Sequence, residues 1–234
     1  MKKLISLLIT STFLFAADNE IYVDQSGATA SIDLEQLGSG NIIGGLNSVA
    51  GTLTALDLDG TSLILDINQL GDLNKFLGDI TGDSITGLFE FDGDSNTFTI
   101  QGDPTNTFGI NNSNYNVNVT GSTNTFTLDH GTNALAATLD LDWIIQGDGN
   151  TFDFDINYDG GTSYVDVDGD SNTLNFTGSG YAGGYFYLDQ DGNGRTFNIQ
   201  QLSTLDNDWL KIISNGGSGT ICVIQNDGGT STSC

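Results

Sequence analysis

"DGDSNTFTIQGD", residues 92–103, decides how this chain is read. A glycine opens a tight arc, Asn96 closes it, and Thr97 and Phe98 begin an alternating run. The same grammar recurs as "GDGNTFDFDI" from Gly147 and "DGDSNTLNF" from Asp168. Aligned on Gly-x-x-Asn, the copies are GSGN at 38–41, GDLN at 71–74, GDSN at 93–96, GSTN at 121–124, GDGN at 147–150 and GDSN at 169–172. "DPTNTFGI" from Asp103 reads as a degenerate copy, and "DGNGRTFNI" from Asp191 as one with an insertion. Self-similarity at a period in the low twenties is the mark of a repeat architecture, in which each unit is stable only against its neighbours.

Alternating runs precede the arcs: "LILDINQ" at 63–69, "LFEF" at 88–91, "NVNV" at 116–119, "YVDV" at 164–167 and "YFYL" at 185–188. Period-two alternation of β-branched and aromatic residues describes half-buried strands. Residues i, i+2 and i+4 of a strand share a face, so each arc Asn points with the following aromatic and the Thr between them points out. One strand–turn–strand unit cannot bury its apolar face, whereas stacked copies about 4.8 Å apart can. The expected fold is therefore all-β, a β-solenoid of strand–turn–strand coils. Its core holds Phe98, Phe126, Phe152 and Leu174, and an internal amide ladder runs through Asn41, Asn74, Asn96, Asn124, Asn150 and Asn172. About ten coils at that spacing would make a rod of about 50 Å. The competing arrangement is an antiparallel β-sandwich with Asn-rich hairpins.

Thirty acidic residues against five basic ones give a formal net charge of -25. Nucleic acid and anionic membrane surfaces repel such a chain, so neither is an expected partner. Residues 1–17 read as a secretory signal, with Lys2 and Lys3 ahead of an apolar stretch from Leu4 to Phe15 and a cleavage site after Ala17. No insertion into a membrane is expected once it is removed. Residues 18–90 would form N-terminal coils or a cap, 91–200 the regular repeat, and 201–234 a C-terminal cap. In an exported protein the two cysteines, Cys222 and Cys234, are expected to pair and pin the tail to the last strand.

Two early units, "QLGSGN" at 36–41 and "QLGDLN" at 69–74, match Gln-x-Gly-x-x-Asn. This pattern resembles the curlin-type repeat of secreted bacterial amyloid fibre subunits. The resemblance implies export, a stacked strand–arc–strand fold and inward-facing Gln36, Asn41, Gln69 and Asn74. Three further segments, "TALDLDG" at 54–60, "GYFYLD" at 184–189 and "STLDNDWLKIIS" at 203–214, are similar to signal-bearing proteins of contractile-tailed phages of marine cyanobacteria. That resemblance implies a structural role in a virion or at a host surface.

No enzyme motif stands out. The single histidine, His130 in "TLDHGTN", reads as a solvated turn residue. No Gly-x-Ser-x-Gly, phosphate-cradling loop or zinc-ligand cluster is present. No cofactor is required. Calcium is the one candidate ligand: "DQDGNG" at 189–194 offers Asp189, Asp191 and Asn193 in the spacing of the first half of a calcium loop. Tyr181, Tyr185 and Tyr187 are the aromatics best placed to meet a sugar. The expected function is a non-enzymatic, exported structural or adhesive protein of a virion, extracellular fibre or cell surface, whose partners are itself or other structural proteins. The alternative is a solenoid that binds or depolymerises host surface glycan.

Overall fold

The computed structural model describes residues 20–46, 53–102, 110–131, 136–157, 160–180, 184–203 and 209–225. The signal-like segment 1–17, Tyr181 and Cys234 lie outside the described residues, and with Cys234 the proposed pairing of Cys222. All regular elements are strands: β1 (Glu20–Ile21), β2 (Asp24–Leu37), β3 (Ile42–Ile43), β4 (Gly45–Leu46), β5 (Leu53–Thr54), β6 (Leu56–Leu70), β7 (Lys75–Thr81), β8 (Ile85–Asp92), β9 (Thr97–Gly102), β10 (Ile110–Thr120), β11 (Thr125–His130), β12 (Ala136–Gln146), β13 (Thr151–Asn157), β14 (Thr162–Asp168), β15 (Thr173–Gly180), β16 (Tyr185–Asp191), β17 (Thr196–Ser203), β18 (Trp209–Asn215) and β19 (Thr220–Gln225).

The strands stack as two faces of a flattened solenoid. One face runs β2, β6, β8, β10, β12, β14, β16, β18, each strand parallel to the next. The other runs β1, β3, β7, β9, β11, β13, β15, β17, β19, again parallel throughout. The start of β6 pairs with the end of β7, so this strand wraps from one face to the other. Among the described residues only the short β4–β5 pair is antiparallel, which rules out a hairpin-built sandwich. The ladders cross residues 90 and 200 without interruption, so 20–89 and 201–225 contribute coils to the same stack.

Register follows the repeat residue for residue. Phe76, Phe98, Phe126, Phe152, Leu174 and Phe197 are successive partners on one face. Phe89, Val117, Trp143, Val165 and Leu188 are partners on the other. All are buried, and rings from the two faces meet between them: Phe89 packs edge-on against Phe98 at 5.3 Å, and Trp143 against Phe126 at 5.8 Å. Phe126 and Phe152 stack with planes 9° apart. Thr97, Thr125, Thr151, Thr173 and Thr196 form the outward row, continued by Thr220.

Arcs join the faces at 38–41, 71–74, 93–96, 121–124, 147–150, 169–172, 192–195 and 216–219. Eight arcs bound seven turns, a rod of about 34 Å at the usual strand spacing, shorter than ten coils would give. The Asp103 copy falls outside the described residues, and the rung neighbour of Asn96 is Asn124. Nor does the copy at Asp191 carry an insertion. Thr196 pairs with Thr173, so Arg195 simply stands where the six preceding arcs have Asn.

Candidate functional site

The arcs explain why the sequence repeats. Their opening glycines have φ from +106° at Gly38 to +145° at Gly192, a region closed to residues with a Cβ. Space imposes the same choice. A Cβ on Gly147 would lie 2.1 Å from the carbonyl oxygen of Gly121, and one on Gly216 1.8 Å from that of Gly192. In seven of the eight arcs the third position is left-handed, held by Leu73, Ser95, Thr123 and Ser171 as well as by glycine.

Asn41, Asn74, Asn96, Asn124, Asn150 and Asn172 are all buried, and they do form a ladder. Its rungs differ from the expected amide-to-amide pairs. The backbone N–H of each Asn donates to the Oδ1 of the Asn one coil on: Asn41 to Asn74 at 2.9 Å, Asn74 to Asn96 at 2.8 Å, Asn96 to Asn124 at 2.7 Å, Asn124 to Asn150 at 2.8 Å and Asn150 to Asn172 at 2.7 Å. The reason is that an arc residue lies outside the strand ladder, and its buried N–H needs an acceptor. The side-chain nitrogens of Asn41, Asn74, Asn150 and Asn172 donate to backbone carbonyls, as in Asn74 Nδ2 to Gly71 at 2.8 Å, whereas those of Asn96 and Asn124 are buried without a partner. True amide-to-amide pairing occurs at the glutamines, where Gln69 Nε2 donates to Gln36 Oε1 at 2.8 Å.

A second ladder, not foreseen from sequence, runs along the outside of the arcs. The N–H of Asp94 donates to Asp72 Oδ1 at 2.8 Å, Ser122 to Asp94 at 2.6 Å, Asp170 to Asp148 at 2.6 Å and Asn193 to Asp170 at 2.6 Å. These carboxylates accept backbone hydrogen bonds while staying in water, which gives the acidic arcs a structural use. Its trace in the sequence is the second arc position, which Asp holds at 72, 94, 148 and 170.

The calcium candidates do not form a loop. Asp189 and Asp191 are alternate residues of β16, whereas Asn193 sits in the following arc, where its Oδ1 accepts the N–H of Gly217 at 2.6 Å. Among the described residues no group of three His, Cys, Asp or Glu side chains is gathered as a metal site. His130 also departs from expectation. It ends β11 inside the core, edge-on to the Tyr115 ring at 5.6 Å, and burial pushes its pKa down to about 3.

The exposed chemistry concentrates on the outer face of β10 to β18, in adjoining rows set by register. One row is Asp142, Tyr164, Tyr187 and Lys211; its neighbour is Asn114, Asp140, Thr162, Tyr185 and Trp209. Tyr164 and Tyr187 stack at 4.9 Å with planes 13° apart, and Tyr185 and Trp209 at 3.9 Å with planes 5° apart. Tyr164 and Tyr185 are each 36% exposed and Trp209 40%. Lys211 Nζ caps the Tyr187 ring at 4.7 Å, and the Tyr187 hydroxyl donates to Asp189 at 3.1 Å. Where the aromatics stop, a shallow groove of about 520 Å³ opens between Asn114, Asp140, Asp142, Thr162, Tyr164 and Asp166. Partial burial, then Asp168, Asp189, Asp191 and Asp142, raise the Asp166 pKa above its ordinary value. Sequence reading found Tyr185 and Tyr187 but not Tyr164 and Trp209, because only register brings separate coils into one row.

Comparison with protein families, with curated proteins and with solved structures returned no match. The class these observations define is the fold, a β-solenoid of stacked parallel coils.

Proposed function

We propose that this chain is a non-enzymatic, exported structural or adhesive protein of a virion, extracellular fibre or cell surface. The observation that carries the reading is the stack itself. Each coil pairs with the next through its strands, and from Asn41 to Asn172 the inner arc ladder adds a rung between successive coils, which makes a stiff rod whose outer faces repeat along its axis. Such a rod suits display and assembly. The one histidine of the chain is buried in the core. Export rests on the basic and apolar segment at residues 1–17, and the curlin-like and phage-like strings point to the same setting.

Electron microscopy of native material, with mass spectrometry of purified filaments or particles, tests this reading. The chain should appear there in ordered copies, beginning at Asp18. A chain found only in the soluble cytoplasm with Met1 intact would end the proposal. Alkylation of two thiols in the monomeric exported protein after reduction, and of none without it, would establish the Cys222–Cys234 pairing.

The second reading, recognition of surface glycan, is favoured by the exposed Tyr and Trp pairs on a rigid sheet. Aromatic faces bordered by carboxylate and amide groups meet the apolar faces and hydroxyls of sugars.

A further inference from the structure

The register of one outer row shows how this surface treats a cation. In the order Asp142, Tyr164, Tyr187, Lys211, the Lys211 ammonium covers the last ring from one side and Tyr164 covers it from the other. Tyr164 has a second ring face, on the side of the Asp142 coil, and there the groove opens. An aromatic face attracts a cation, more so where neighbouring carboxylates add their field. Asp140, Asp142 and Asp166 border the same space. Its other polar groups, Asn114 and Thr162, are neutral and suited to hydroxyls.

We propose that the groove over β12 and β14 binds a sugar ring carrying a free, protonated amine, as in a glucosamine unit of a deacetylated glycan. The ring would lie against Tyr164, its ammonium toward Asp142 and Asp166, and its hydroxyls toward Asn114, Thr162 and Asp140. The volume fits a ligand of sugar size better than a lone ammonium group. A chain of net charge -25 disfavours acidic glycans, so a basic one is the complementary choice. This inference rests on the glycan-recognition reading and names its ligand.

Calorimetric titration of the full-length protein with the glucosamine tetramer, the N-acetylglucosamine tetramer and tetralysine tests it. The glucosamine tetramer should bind, and the N-acetylated form about tenfold or more weakly, because its nitrogen is uncharged. Tyr164→Ala should weaken binding by about tenfold, and Tyr164→Phe should leave it nearly intact, since the ring face is what is used. Asp153→Asn on the opposite face should change nothing, and circular dichroism checks that every variant is folded. Equal binding of the N-acetylated tetramer, tighter binding of tetralysine, indifference to Tyr164→Ala, or no binding would each overturn the proposal. Location in filaments or particles is measured separately, so failure here leaves that reading standing or falling on its own test.

Discussion

The two edges of the solenoid solve one problem in opposite ways. At the arc edge every coil turns in four residues, and equivalent positions lie directly over one another. At the other edge the chain returns by connections of unequal length, so successive coils are separated by 33, 22, 28, 26 and 22 residues at the Asn ladder. Loop closure costs rise slowly with length, so the return edge tolerates such variation. The arc edge cannot, because its opening glycines stack in contact and the buried N–H of each Asn must find its acceptor in the next coil.

The sharpest way to break this contrast is a methyl group at each edge. Gly147→Ala in the arc should cost about 3 kcal/mol or more, since it combines a forbidden φ of +138° with a carbonyl 2.1 Å away. Gly160→Ala at the return edge should cost only about 1 kcal/mol, because its φ is +73° but nothing lies within 4 Å. Urea midpoints measure both, and equal losses would mean that the arcs hold nothing the return edge does not. Next in size, Asn124→Ala should cost about 2 kcal/mol by leaving the buried Asn96 N–H without its acceptor. Asp170→Ala, which removes the corresponding acceptor of the exposed outer ladder, should cost about 1 kcal/mol or less because water replaces it.

A smaller effect depends on pH. Asp79, on β7 beside Asp57, has a pKa raised to about 6 by burial and then by Asp57. A carboxyl raised in the fold gives stability that is full below its unfolded value and lost as pH rises through about 6. Asp79→Asn should therefore stabilise the protein at pH 7 by about 1 kcal/mol, allowing for solvent screening, and the gain should vanish by about pH 4. His130 runs the other way. Its contribution is full above the ordinary histidine range and is lost as pH falls toward about 3, which flattens the parent's curve. A gain from Asp79→Asn that persisted at pH 4 would sink the assignment. Smallest of all, millimolar calcium should raise the melting temperature by about 2 °C by relieving repulsion among Asp166, Asp168, Asp189 and Asp191. Thermal scans with and without chelator measure it.

Much of the fold was legible because the repeat states its own alignment. Gly-x-x-Asn fixed the arcs, and alternation put Phe98, Phe126, Phe152 and Leu174 inside and Thr97 outside. What stayed hidden depends on atoms or on register. Sequence says that Asn96 faces inward, but not that its Oδ1 takes a backbone N–H from the neighbouring coil. Arg195 looked like an insertion because it breaks the motif by type and not by spacing. His130 looked solvated because Asp129 and Gly131 surround it, yet the strand alternation carries it into the core. Tyr164 and Trp209 lie 45 residues apart and share a surface only because β14, β16 and β18 are neighbours.

The two arc ladders point in opposite senses. Inside, an earlier coil donates to a later one, as from Asn74 to Asn96; outside, a later coil donates to an earlier one, as from Asp94 to Asp72. Seen from either end, the next layer both gives and takes a side-chain hydrogen bond. Peeling layers away from the amino-terminal side therefore breaks the same kinds of bond as peeling from the carboxyl-terminal side. Through this stretch the rod should unzip under tension with little preference for direction.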